Sequence, residues 1–122
     1  MVKRVDNLED LADIIDKKMP AEVVLDLEGT ALNVGHYHND QLDDARWFNS
    51  PLFHLYEDSN KDYCMDITDS GEDNYSIKGL KPTSTKYEKP KLPSYGERGD
   101  LKIDLKGDEW LGLSHYRIFQ KG

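Results

Sequence analysis

The chain of 122 residues has one cysteine, Cys64. A lone cysteine excludes an intrachain disulfide and fits a reducing compartment. Long apolar runs are also missing: nothing approaches the roughly 18 consecutive apolar residues of a membrane-spanning helix. The opening residues, MVKRVDNLED, reach acidic side chains before any apolar stretch, so no secretory leader is expected. The expected setting is therefore cytoplasmic, with no membrane contact. CxxC and HExxH are absent, which removes the commonest zinc signatures. Gly29, Gly35, Gly71 and Gly79 are scattered as turn residues and make no phosphate-cradling loop.

Apolar residues are scarce at 37% and charged ones plentiful at 33%, a balance on the polar side of ordinary globular proteins. Seven Tyr, three Phe and two Trp nevertheless argue for a packed core, because disordered chains are poor in aromatics. The length suits a single domain spanning residues 1–122, one that buries roughly two-thirds of its unfolded surface.

Charge divides along the chain. Residues 1–77 carry 18 Asp/Glu against 6 Lys/Arg, a net of −12, whereas residues 78–122 carry 6 against 10, a net of +4. The acidic part should repel nucleic acid and attract basic protein surfaces.

The segment VDNLEDLADIIDKKMP carries the clearest local signal. Asp6 or Asn7 can cap a helix, and Leu8, Leu11, Ile14 and Ile15 fall on one face at helical spacing. Acidic residues near its start and lysines near its end suit the helix dipole, and Pro20 ends it. AEVVLDL (21–27) and ALNVGHY (31–37) read as the arms of a β-hairpin turning at Gly29. NDQLDDARWF (39–48) reads as a short capped helix with Leu42, Ala45 and Trp47 turned inward. Leu52–Tyr56 and Tyr63–Ile67 read as a second hairpin, with YSIKGL (75–80) a further short strand. Residues 81–100, with three prolines, read as a long loop or arm within the domain. LKIDLKG and HYRIF then give two C-terminal strands around DEWLGLS. Helix first and strands after predicts an α+β fold, an amphipathic helix packed on a mainly antiparallel sheet.

His36 and His38 would share a face of a strand, as two metal ligands do, with His54 the candidate third. This supports a metal-binding domain or small metal-dependent hydrolase as an alternative reading. In LDLEGTAL, Asp26 and Glu28 resemble the DxE strand of proofreading-type exonucleases. HNDQLDD follows after only about ten residues, too few for the crossover such a parallel sheet needs. Cys64 sits within a strand pattern, where a buried, inert thiol is the default.

The acidic surface remains. Asp40, Asp43, Asp44, Asp66, Asp69, Glu72 and Asp73 are the candidate partner-binding carboxylates, with Tyr87 and Tyr95 from the 81–100 arm as aromatic anchors. The expected function is a small, non-enzymatic protein that needs no cofactor. It would inhibit a basic, nucleic-acid-handling protein such as a nuclease, in the manner of inhibitor, immunity or anti-defence proteins. It would not bind nucleic acid directly. A further alternative is an oligomeric structural subunit whose exposed edge strands pair between copies.

Overall fold

The computed structural model describes residues 2–17, 20–70, 74–88 and 98–117. In chain order these form β1 (Val2–Val5), α1 (Leu8–Lys17), β2 (Glu22–Asp26), β3 (Thr30–His38), β4 (Gln41–Asn49) and β5 (Leu52–Glu57). Then follow β6 (Tyr63–Thr68), β7 (Asn74–Leu80), β8 (Pro82–Glu88), β9 (Arg98–Leu105) and β10 (Glu109–Arg117). The fold is α+β, with one helix and mainly antiparallel strands among the described residues, as the sequence predicts.

The strands make two five-stranded sheets, ordered β1-β2-β5-β6-β7 and β4-β3-β10-β9-β8. Alternation decides what each sheet buries. Val23, Leu25, Phe53, Leu55, Met65 and Ile67 line the inner face of the first sheet. Leu32, Val34, Phe48, Leu101, Ile103, Leu111 and Leu113 line that of the second. Both sets join Leu8, Leu11 and Ala12 of the helix in one core.

Asn7 caps α1, its Oδ1 accepting the Asp10 N–H at 2.8 Å. The helix is the crossover between β1 and β2, which pair in parallel, yet it lies against β8 and β9 of the other sheet. Asp16 fastens it there: its carboxylate accepts the Thr85 N–H at 2.9 Å and the Thr85 hydroxyl at 2.5 Å.

Four sequence expectations change. The arms 21–27 and 31–37 do not pair: β2 pairs with β1 and β5, and β3 with β4 and β10. The turn at Gly29 (φ 81°) carries the chain from one sheet to the other, and the Thr30 N–H donates to Leu27 O at 3.1 Å. Residues 39–48 are not a helix. Asn39 and Asp40 take φ of 52° and 59°, both left-handed, and join His38 to Gln41 in a two-residue hairpin turn. Such turns match the twist of paired strands, and Asn and Asp tolerate them best after glycine. Within the proposed arm, 82–88 are β8 and 98–100 begin β9, paired with each other; residues 89–97 lie outside the described residues. DEWLGLS is no spacer either, because β10 begins at Glu109 after a turn with Gly107 at φ 85°.

Candidate functional site: the outer face of the second sheet

The second sheet's outer face follows directly from its register. Taken across β4, β3, β10, β9 and β8, one rung reads Leu42, Tyr37, Trp110, Asp104, Ser84. The next reads Ala45, Gly35, Gly112, Lys102, Lys86, and the third reads Trp47, Asn33, Ser114, Asp100, Glu88. Large side chains thus flank a rung whose centre is two glycines.

The rings of Tyr37 and Trp110 stack at 3.7 Å between centroids and 3° between planes. Both lean over the glycine rung. A Cβ on Gly35 would meet Tyr37 Cε1 at 2.9 Å, and one on Gly112 would meet Trp110 Cζ3 at 3.1 Å and Tyr37 Cε1 at 3.4 Å. Since a single Cβ would touch both rings, the stack stands on edge above the sheet. Asp40 accepts the Trp110 indole N–H at 3.1 Å and fixes its orientation, and the Lys102 ammonium lies 4.6 Å from the indole centroid.

Two concavities result. A trough of about 330 Å³ runs over Gly112, Lys102 and Lys86 of that rung, between the Tyr37–Trp110 stack and the polar groups of Asn33, Ser114, Asp100 and Glu88. A second groove of about 500 Å³ lies at the turn end of the sheet. It brings Asp40, Asp104, Asp108 and Glu109 to the edge of Trp110, with Lys102 the one base in its lining.

Strand β4 is the sheet's edge. Trp47 is 60% exposed and Leu42 53%, and Asp43 and Asp44 lie between them. The pairing with β3 slips between His36 and Tyr37, so Leu42 and Asp44 meet successive residues and Asp43 is the extra one of a bulge. On the inner side, Asp44 pairs with Arg46 at 3.3 Å, and Arg46 lies 4.7 Å over the Tyr75 ring of β7. Burial pushes the Tyr75 phenol pKa up and the Asp44 carboxylate adds to that, while Arg46 opposes it.

Asp40, Asp43 and Asp44 therefore fall together at the β3–β4 hairpin. Asp66 stands on the first sheet's outer face, between the inward Met65 and Ile67, and accepts the Ser76 hydroxyl at 2.7 Å. Asp69 lies near the far end of β4, where it accepts the Asn49 N–H at 3.2 Å. Tyr87 is half-buried against the core and covers Gly99, unlike the exposed loop residue expected. Glu72, Asp73 and Tyr95 lie outside the described residues. His36 and His38 do share a face, and both reach Glu109, at 3.2 and 3.8 Å. His54 belongs to the other sheet and pairs with Glu22. Among the described residues no group of three His, Cys, Asp or Glu side chains is placed to hold a metal ion. No helix among them is long and apolar enough to cross a membrane.

Sequence reasoning missed Trp110, Gly112, Asp104 and Asp108. The signal was available, because EWLGLSHYR alternates Leu111 and Leu113 with Trp110, Gly112 and Ser114, the period of a strand. No family model matches the chain, and no curated protein or solved structure matches it either.

Proposed function

We propose that this chain is a non-enzymatic binding protein that docks, through strand β4 and the β3–β4 turn, on a protein with a basic surface. The target class we favour is a nuclease or other nucleic-acid-handling enzyme, which the chain would inhibit in the manner of an immunity or anti-defence protein. One observation carries the reading: two large apolar side chains, Trp47 and Leu42, stand exposed on an edge strand with Asp43 between them, Asp40 beside them and Asp44 on the strand's other face. Exposed aromatics with buried-core neighbours are typical interface anchors, and flanking carboxylates steer a basic partner into register. The turn-end groove extends the same charge through Asp104, Asp108 and Glu109. Cys64 is buried, which suits a reducing, cytoplasmic setting under this reading.

The test is a pull-down from lysate of the native host at low and high salt, repeated with two variants. The wild type should retain a basic, nucleic-acid-handling partner that high salt weakens. Asp40→Lys/Asp43→Lys/Asp44→Lys should lose it, as should Trp47→Ala, with circular dichroism unchanged. Retention by both variants would refute the assignment.

A further inference from the structure

We propose that the chain self-associates through the free edge of β4, which pairs antiparallel with β4 of a second copy across a two-fold axis at Ala45. The second sheets of both copies then join edge to edge.

The backbone of β4 carries the first part of the argument. The strand ends its sheet, and all its residues but Ala45 and Phe48 are exposed. In an antiparallel pair, successive residues turn their N–H and C=O alternately toward and away from the partner strand. The Ser50 N–H donates to Thr30 O at 2.7 Å, so Phe48, Arg46 and Asp44 turn theirs toward β3 as well. Asn49, Trp47 and Ala45 turn theirs outward. Asn49 shows this directly, its N–H donating to the Asp69 carboxylate at 3.2 Å and its carbonyl accepting the Ser70 N–H at 3.2 Å. Ala45 and Trp47 present the same groups at an open edge, a template for another strand.

Symmetry and charge select the occupant. Of the registers near the middle of the strand, a two-fold axis at Asp43, Asp44 or Arg46 sets like charges directly opposite each other. An axis at Trp47 brings Ala45 of one copy onto the Asn49 groups already taken by Asp69 and Ser70. An axis at Ala45 meets neither obstacle. Ala45 then exchanges two backbone hydrogen bonds with its counterpart, and Asp44 lies opposite Arg46 of the other copy on both sides of the axis. Asp44 and Arg46 already lie 3.3 Å apart within one chain, so the two copies close a ring of four alternating charges. On the outer face Trp47, 60% exposed, lies diagonal to the small Ala45 of the other copy, within reach of its ring. The bulge at Asp43 and the contacts at Asn49 confine the pairing to residues 43–47 of each copy, so the interface is small and the association weak. Self-pairing uses the edge proposed above for a basic partner and excludes it, but does not rest on that reading.

Sedimentation equilibrium of the purified chain, up to about 1 mM, should show a reversible monomer–dimer equilibrium. Asp44→Arg and Arg46→Asp should each weaken it at least about tenfold, because each sets like charges opposite in its own dimer. Mixing the two variants restores opposite charges at both places and should recover association, as should the exchanged pair Asp44→Arg/Arg46→Asp. Cys64 is buried, so Ala45→Cys supplies an exposed thiol that mild oxidation should cross-link into a dimer. Gln41→Cys should not cross-link, since its two copies would lie about 25 Å apart in this register. Ala45→Cys changes one small side chain and keeps the test valid if a charge variant unfolds. A monomer at every concentration would overturn the proposal, even with partner capture intact. So would a dimer indifferent to both charge variants, a mixture that stays monomeric, or equal cross-linking through Gln41→Cys. Failed partner capture beside an intact dimer counts against the docking reading alone.

Discussion

Gly35→Ala gives a test whose sign, not merely size, is in question. An alanine inside a strand normally gains about 0.5–1 kcal/mol over glycine, because glycine gives up more backbone freedom on folding. Gly35 has no left-handed backbone to excuse it, since only Gly29, Gly79 and Gly107 among the glycines described take positive φ. The opposing term is contact. The new methyl would sit 2.9 Å from Tyr37 Cε1 and 3.3 Å from Leu42 Cδ1. Tyr37 cannot retreat freely, because Trp110 lies 3.7 Å behind it and is tied to Asp40. The ring must leave the stack, which forfeits about 0.5–1.5 kcal/mol beyond its area term, and the ring's cover over the sheet is lost with it. The expected outcome is a net loss of about 1 kcal/mol, lowering the melting temperature by roughly 4 °C. In a Tyr37→Ala background the obstacle is gone, and the same substitution should stabilise by about 0.5 kcal/mol. Urea denaturation followed by tryptophan emission measures both steps, and near-ultraviolet circular dichroism reports the stack. A Gly35→Ala protein as stable as wild type with its near-ultraviolet spectrum intact would refute the argument.

Phe53→Ala, at a fully buried position in the middle of the first sheet, should cost about 3–5 kcal/mol in denaturant melts, the range of a large core truncation. Asn7→Ala removes the cap on the Asp10 N–H and should cost about 1 kcal/mol, with Asn7→Asp restoring it. Trp47→Ala should change stability by less than about 1 kcal/mol, since the side chain is 60% exposed, while abolishing partner capture. Burial, and then Glu57, raise the Tyr63 phenol pKa above its usual value, and its hydroxyl donates to Pro20 O at 3.2 Å. A folded pKa above the unfolded one gives stability that is complete below about pH 10 and is lost as pH climbs through the folded value. Tyr63→Phe should therefore flatten the loss of stability between about pH 9 and pH 11, read from urea midpoints.

What the sequence disclosed was local. The α1 helix, its cap and the β5–β6 hairpin rest on signals within a few residues: an apolar stripe, an Asn at the right offset, a polar turn between alternating arms. Pairing across the chain left no such mark. β2 and β3 alternate equally well, and nothing in their residues says that β2 joins β5 while β3 joins β10. Residues 39–48 misled because Asn39 or Asp40 can cap a helix and Leu42 and Ala45 recur at spacing three, which also suits one side of a helix. The bulge at Asp43 breaks the strand period that would otherwise have shown. β1 was missed because four residues, VKRV, are too few to carry a period. The candidate site was half legible for the same reason. Asp40, Asp43 and Asp44 adjoin in sequence, whereas Trp110 and Tyr37 meet only through the register of β10 on β3.

Stability alone gives no reason for the aromatic row. Glycines at Gly35 and Gly112, side by side on two central strands, together cost about 1–2 kcal/mol relative to alanine. The stack they permit returns about 0.5–1.5 kcal/mol beyond its burial. The two terms nearly cancel, and β-branched residues on the same rungs would give a firmer sheet without any trough. The inner faces follow that economy, filled by Val, Leu, Ile, Met and two Phe. The outer face of the second sheet departs from it at Tyr37, Trp47, Trp110 and Tyr116, where rings meet in pairs, 3.7 Å and 5.4 Å between centroids, the first pair above two glycines. A surface that forgoes sheet strength to hold fixed rings at a concavity fits a protein that works by contact, as proposed above.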